Sequence, residues 1–126
     1  MSEETNFKHV ALQYKDRNKA EVFFTKVLEI PLKKTYPVSK ELSKTIFGID
    51  EELLVDVYDN EKICFEVFIT KKQTKYTYEH TCIEIKDQDG FIKRCKKYGI
   101  EPIFAKKELK TLLFIRDFAD NLYEIK

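Results

Sequence analysis

Two short stretches with the same build constrain this chain more than anything else in it. Phe7-Lys8-His9-Val10-Ala11-Leu12-Gln13-Tyr14 sets His9, Ala11 and Gln13 on one side, Val10, Leu12 and Tyr14 on the other. Tyr78-Glu79-His80-Thr81-Cys82-Ile83-Glu84-Ile85 repeats the arrangement: from His80 onward, His80, Cys82 and Glu84 oppose Thr81, Ile83 and Ile85. A period of two means a half-buried strand with one apolar face and one face free to carry chemistry. His9 and His80 are the only histidines in the chain. Each has a polar residue four positions on (Gln13, Glu84), and an amphipathic helical pattern follows each.

The first half continues with Asp16 as a helix cap, then Ala20, Phe23, Phe24, Val27 and Leu28 at the spacing of a helix lying on a core. Pro31 forbids continuation. Leu32–Val38 reads as a short exposed strand. Ser39 caps a brief helix carrying Leu42, Ile46 and Phe47, closed by Gly48. Glu52–Tyr58 and Lys62–Ile69 form a hairpin around Asp59-Asn60-Glu61. In its second arm Ile63, Phe65, Val67 and Ile69 share one face, and Cys64, Glu66 and Phe68 the other. Thr70–Thr77 reads as a polar linker.

The second half takes the same order. After His80 comes Asp87-Gln88-Asp89-Gly90, then a helix with Phe91, Ile92, Cys95 and Tyr98 on one side, ended by Gly99. Glu101–Ala105 is a short strand. Lys110–Arg116 and Asn121–Lys126 close the chain as a hairpin in which Leu122, Glu124 and Lys126 face away from Tyr123 and Ile125. Each half is therefore strand, helix, three strands, with one His on its first strand and one Glu on its last. The histidines lie farther apart than the glutamates by about the length of the extra Ser39–Gly48 segment.

Two imidazoles and two carboxylates at matched places suit a divalent metal. His favours Zn, Ni, Co or Fe, and carboxylate oxygen extends the range to Mn. A metal also accounts for Glu66 sitting between Cys64 and Phe68, where an unpaired charge is costly.

The chain resembles the vicinal oxygen chelate superfamily, the glyoxalase, bleomycin-resistance and extradiol dioxygenase group, over Phe7 to Lys126. The matching stretches are Lys8-His9-Val10-Ala11-Leu12 with Asp16, the helix Ala20…Phe23-Phe24-Thr25-Lys26-Val27-Leu28, Phe65-Glu66, Glu79-His80 and Asp117-Phe118-Ala119-Asp120-Asn121-Leu122-Tyr123-Glu124. It departs from the family at Glu29 and Asp120, where glycine is usual. The resemblance implies an α+β fold of two βαβββ modules forming an open barrel-like cleft. A tail at 1–6 precedes one domain at 7–126, made of modules 7–70 and 78–126. It implies metal ligands at His9, Glu66, His80 and Glu124, holding Zn, Ni, Co or Mn ahead of Fe. A homodimer is expected, since relatives cover exposed sheet edges by pairing modules within or between chains.

Two His and two Glu resemble glyoxalase I and come close to the methylmalonyl-CoA epimerases. Both are metal-dependent lyases or isomerases that move a proton next to a carbonyl through a metal-bound enediolate. In that reading Glu124 or Glu66 is the catalytic base. A binding protein conferring resistance to an antibiotic-like small molecule is the alternative. A metal-dependent dioxygenase stands behind both, because a fourth protein ligand takes a position that chemistry would use. Cys64 and Cys82 are expected beside the ligands, Phe68, Leu122 and Phe114 as an apolar pocket wall, Gln13 and Glu84 at its rim, and Cys95 in the helix core.

The resemblance implies a small-molecule substrate as partner, and composition speaks against two other classes. The 23 basic and 22 acidic residues nearly cancel, so nucleic acid and anionic membrane, which want a strong positive field, are not expected partners. No apolar run is long enough to span a bilayer. Arginine occurs only as Arg17, Arg94 and Arg116, which leaves few forked grips for phosphate. Three cysteines without CxxC spacing, and no signal-like start, lead to the expectation of a cytoplasmic protein.

Overall fold

The computed structural model describes residues 6–71 and 76–126. The tail expected over 1–6 falls outside the described residues except at Asn6, as does the middle of the Thr70–Thr77 linker. In the first half β1 (Val10–Tyr14) leads to α1 (Arg17–Glu21), which runs on as a π-helical segment (Val22–Val27). Then come β2 (Leu32–Val38), α2 (Lys40–Phe47), β3 (Leu53–Asp59) and β4 (Cys64–Ile69). The second half is β5 (Thr81–Ile83), α3 (Gln88–Lys97), β6 (Ile103–Lys107), β7 (Lys110–Arg116) and β8 (Leu122–Ile125). Two open four-stranded sheets result, in the orders β1-β4-β3-β2 and β5-β8-β7-β6. In each, the first strand lies parallel beside the last and the other pairs are antiparallel. The fold is α+β, built from two βαβββ units.

Local chemistry explains most element ends. Asp16 accepts from the amides of Asn18 and Lys19 and so satisfies donors that a helix start leaves open. The regular helix expected over Ala20–Leu28 widens instead into π geometry, with the Leu28 amide bonded to the Phe23 carbonyl five residues back at 3.0 Å. Phe23 and Phe24 still lie in the core together with Ala20 and Val27, all at 0% exposure, as the apolar stripe predicts. Each buried phenylalanine contributes about 1.5–3 kcal/mol. The helix ends through Glu29 at φ 59°, a left-handed conformation that glycine adopts without cost.

α2 starts with Ser39 accepting from the Leu42 amide and ends at Gly48 in the left-handed region. Its apolar residues are only partly covered. Leu42, Ile46 and Phe47 stay about half exposed while Ser43 is buried, and Phe47 packs edge-on against Phe68 at 5.4 Å.

Several boundaries differ from expectation. α3 starts before Gly90, because Asp87 accepts from the Gly90 amide at 3.0 Å and a Cβ at position 90 would collide with that carboxylate. β6 starts after Pro102, which has no amide to offer a ladder. β1 and β5 each begin one residue after their histidine. β5 is an edge strand paired only with the short β8, and this limits it to Thr81–Ile83.

One core joins the halves. Tyr14, Phe23, Phe24, Tyr58 and Phe65 from the first pack with Ile83, Phe91, Ile115 and Tyr123 from the second. Phe23 meets Tyr123 at 5.2 Å between ring centres. Buried Asp117 accepts from the amides of Ala119 and Asn121 and from the Tyr123 hydroxyl. The Asn121 side chain in turn reaches the Gln13 carbonyl across the junction. Burial pushes the Asp117 carboxyl above its ordinary range, while these donors pull it back. In the first half Arg17 grips buried Asp56 with two hydrogen bonds of 2.8 Å, and Thr35 adds a third. A second, smaller cluster of Val38, Val55 and Val57, flanked by Tyr36, Leu53, Cys64 and Phe68, lies on the other face of the first sheet. Among the described residues no helix is long and apolar enough to cross a membrane.

Candidate functional site

Parallel pairing of first and last strands brings each histidine to its glutamate. In the first sheet Ala11 pairs with Glu66, and His9 stands two residues before Ala11 on the same face. In the second, Cys82 pairs with Glu124, and His80 stands two residues before Cys82. The register is identical. His9 Nε2 lies 3.3 Å from Glu66 Oε1, and His80 Nε2 lies 3.5 Å from Glu124 Oε1. The glutamate side chains are 20% and 17% exposed, the imidazoles 44% and 37%. The carboxylates are mostly covered and the rings reach outward.

The His80 ring has a defined orientation. Its Nδ1 lies 3.0 Å from the Tyr78 carbonyl, which can only accept, so Nδ1 carries a proton. Nε2 then faces Glu124 either with a lone pair or, if the ring is doubly protonated, with a second N–H. With the lone pair turned to Glu124, the pair is suited to share a cation. Donors about 2.1 Å from one ion and about 90–110° apart would be separated by about 3.0–3.4 Å. The measured 3.3 and 3.5 Å are near that spacing, so each pair fits two corners of a metal's coordination shell.

The four residues do not gather in one chain. Among the described residues no three His, Cys, Asp or Glu side chains are close enough to hold a metal ion. The structure presents two separate His–Glu pairs, one on each sheet.

Their surroundings differ. Glu66 Oε1 accepts a hydrogen bond from the Tyr36 hydroxyl at 3.2 Å. Burial, with Glu66 beside it, raises the Tyr36 phenol above its usual range. Cys64, on the same face as Glu66, is half-buried, and burial raises its thiol as well. Glu124 has Lys126 Nζ at 3.9 Å instead, and the His80 ring packs on Phe114 at 5.9 Å. Cys82 beside it is exposed. The expected apolar wall is therefore divided, with Phe68 on one sheet and Phe114 and Leu122 on the other. Gln13 lines a cleft of about 610 Å³ with Lys15–Lys19 and Phe118–Asp120; it contains none of the four ligand candidates. Glu84 is exposed and Cys95 is in the helix core, its thiol pushed up to about 11 by burial.

Tyr36 escapes a reading of the sequence, since its partner lies thirty positions away and its own segment reads only as an exposed strand. Asp56 is likewise missed as the partner of Arg17.

No protein-family model matches the sequence, and no curated protein matches it. Solved structures do. A fosfomycin resistance protein, FosX, from Listeria monocytogenes superposes with a TM-score of 0.72 at 17% identity, covering 98% of this chain and 91% of that one. FosX from Mesorhizobium loti gives 0.69 at 14% identity, covering 98% and 91%. A glyoxalase family protein from Bacillus cereus gives 0.72 at 15% identity, covering 98% and 94%. A variant of the Listeria protein was crystallised with Mn(II) and 1S,2S-dihydroxypropylphosphonic acid. Over nearly its whole length this chain shares the glyoxalase-like fold of these neighbours.

Proposed function

We propose that this chain is a divalent-metal enzyme of the glyoxalase type whose site is completed between two copies, His9 and Glu66 of one facing His80 and Glu124 of the other. The observation that carries this reading is the repeated His–Glu pair, set by the same strand register in both halves and spaced like neighbouring ligands of one ion. Each chain holds two such halves, and the shared core fixes them apart. A two-fold pairing would therefore make two complete sites in a homodimer.

The metal would be Mn, Zn, Ni or Co, and it would polarise the oxygens of a small substrate carrying a carbonyl next to an acidic C–H. Glu124 is the candidate for moving the proton, with Glu66 the other carboxylate of the pair of halves. Glu124 Oε2 has the exposed Lys126 Nζ at 3.9 Å and no hydrogen-bond donor fixed on it among the described residues, which leaves the carboxylate free to move. The apolar surroundings of Phe114 and Phe68 would exclude water from the reacting carbon.

A second reading follows the neighbours: resistance to a phosphonate antibiotic, by binding or by chemistry on it. The fold likeness and the Mn(II) in one neighbour favour it. Against it, Arg17 is committed to Asp56, Arg94 to the Val27 carbonyl and Arg116 to the Asp120 carbonyl. That leaves lysines alone to grip a phosphonate.

Elemental analysis of protein purified without chelator, together with sedimentation, tests the proposal. One divalent ion per chain in a dimer is expected. Chelation should lower the melting temperature, since an ion at a hundred times its Kd adds about 2.7 kcal/mol. A metal-free monomer whose melting curve ignores added Mn(II) or Zn(II) overturns the reading. Solvent deuterium entering a 2-oxoaldehyde adduct favours the glyoxalase type; consumption of fosfomycin instead favours the second reading.

A further inference from the structure

The two half-sites occupy matching places, so their differences are informative position by position. In the first sheet Glu66 shares a row with Val57 and Lys34, and Tyr36 stands two residues farther along β2. In the second sheet Glu124 shares a row with Phe114 and Ile103, and two residues farther along β6 stands Ala105. The first half thus has a phenol where the second has a methyl group.

We infer that Tyr36 is a positioning residue that holds Glu66 in place for the metal, making the first half-site the preformed one. This rests on the metal reading above. The hydroxyl donates to Glu66 Oε1 at 3.2 Å, on the same oxygen that faces His9. A carboxylate with a donor fixed on one oxygen loses freedom to rotate away, and ligands braced in this way are worth roughly 10–100-fold in metal affinity.

The phenol is itself braced. Its ring packs against the cluster of Val38, Val55 and Val57, while Lys34 Nζ, on an exposed side chain, is a distant neighbour at 5.9 Å from the ring centre. Pro37 follows it and restricts the Tyr36 backbone to the extended region. As an edge strand, β2 tolerates that proline. Phe47 of α2 packs on Phe68 next to the same cluster. The second half contains no α2 counterpart among its described elements. Extended backbone and apolar floor therefore both fix the ring that carries this hydroxyl. Among the described residues no comparable donor braces Glu124, whose neighbour Lys126 reaches it at 3.9 Å from a side chain that is 67% exposed.

Calorimetric titration with Mn(II) of the wild-type chain, Tyr36→Phe and Lys34→Ala tests the inference. Tyr36→Phe removes one oxygen and keeps the ring, so the melting temperature of the apo protein should stay within a few degrees. Its Kd for Mn(II) should rise tenfold or more. Lys34→Ala strips a cation from the same ring without touching the hydroxyl and should leave the Kd within about twofold. Equal Mn(II) affinity in wild type and Tyr36→Phe overturns the inference, as does an equal loss in Lys34→Ala. A wild-type chain that takes up no Mn(II) fails differently: it removes the metal reading and the inference with it.

Discussion

The two halves share a topology and the register that places His beside Glu, yet they are finished differently. In the first, the carboxylate is held by a tyrosine above an apolar floor and next to an added helix. In the second, alanine replaces the tyrosine, an exposed cysteine borders the site, and a flexible lysine is the nearest cation. The lesson is one of division. Residues on the parallel pair of first and last strands in each sheet set where the two side chains sit, while the strand at the far edge, β2 or β6, differs in what it offers the carboxylate. A braced ligand suits binding and a looser one suits proton transfer.

The largest expected effect breaks or confirms that division directly. Glu124→Gln retains a coordinating oxygen but cannot accept the proton, so turnover should fall by roughly two orders of magnitude or more with modest loss of metal. His80→Ala should lose the metal outright. If Glu66→Gln is the slow variant and Glu124→Gln is not, the roles are reversed, as steady-state kinetics and metal content per chain will show.

A smaller effect concerns how the helices are anchored. Arg17→Ala leaves the Asp56 carboxylate buried at 1% exposure with only Thr35 for support. Removing one partner of such a pair costs about 3 kcal/mol, the low end for buried pairs because Arg17 is itself partly exposed. Arg94 in the second half holds a carbonyl and lies 3.5 Å from Glu29. Its replacement by alanine should cost about 1 kcal/mol. Urea denaturation of both variants measures the difference, and equal losses would show that the helices are anchored alike.

The smallest effect is shared. Glu29 in the first half and Asp120 in the second sit at φ 59° and 65°. A non-glycine residue there costs roughly 1–2 kcal/mol, offset in part by the flexibility glycine adds to the unfolded chain. Glu29→Gly and Asp120→Gly should each raise stability by about 0.5–1 kcal/mol, read as a rise in melting temperature. A drop in either would mean that its side-chain contacts outweigh the backbone strain.

Much of this was legible in the sequence because it is local or periodic. The alternation around His9 and His80, the stripe of Ala20, Phe23, Phe24 and Val27, and the Ser39 and Gly48 helix ends each follow from residues a few positions apart. The order of strand, helix and three strands read in each half is the order found in both sheets, with α2 added in the first. The π-helical segment was not legible, since five-residue hydrogen bonding leaves the same apolar residues on the same side. Nor was the partial exposure of Leu42, Ile46 and Phe47, because amphipathicity says which face is apolar and not what covers it. Tyr36 and Asp56 depended on the pairing of β2 with β3, which is set by tertiary structure. The separation of the quartet into two half-sites followed from how the modules share a core.

The parallel pairing of first and last strands also has a consequence for the order of events as the chain folds. β3 and β4 are joined by a tight turn and can zip up within microseconds. β1 is made earlier in synthesis but must wait for β4, most of a half away, before Val10 can find Phe65. Closing that loop is an entropic cost met before any contact rewards it, and non-local pairings of this kind slow folding. Until then Val10, Leu12 and Tyr14 are an unpaired apolar edge. Aggregation during folding should therefore begin at β1, and β5, awaiting β8, has the same liability on a shorter strand.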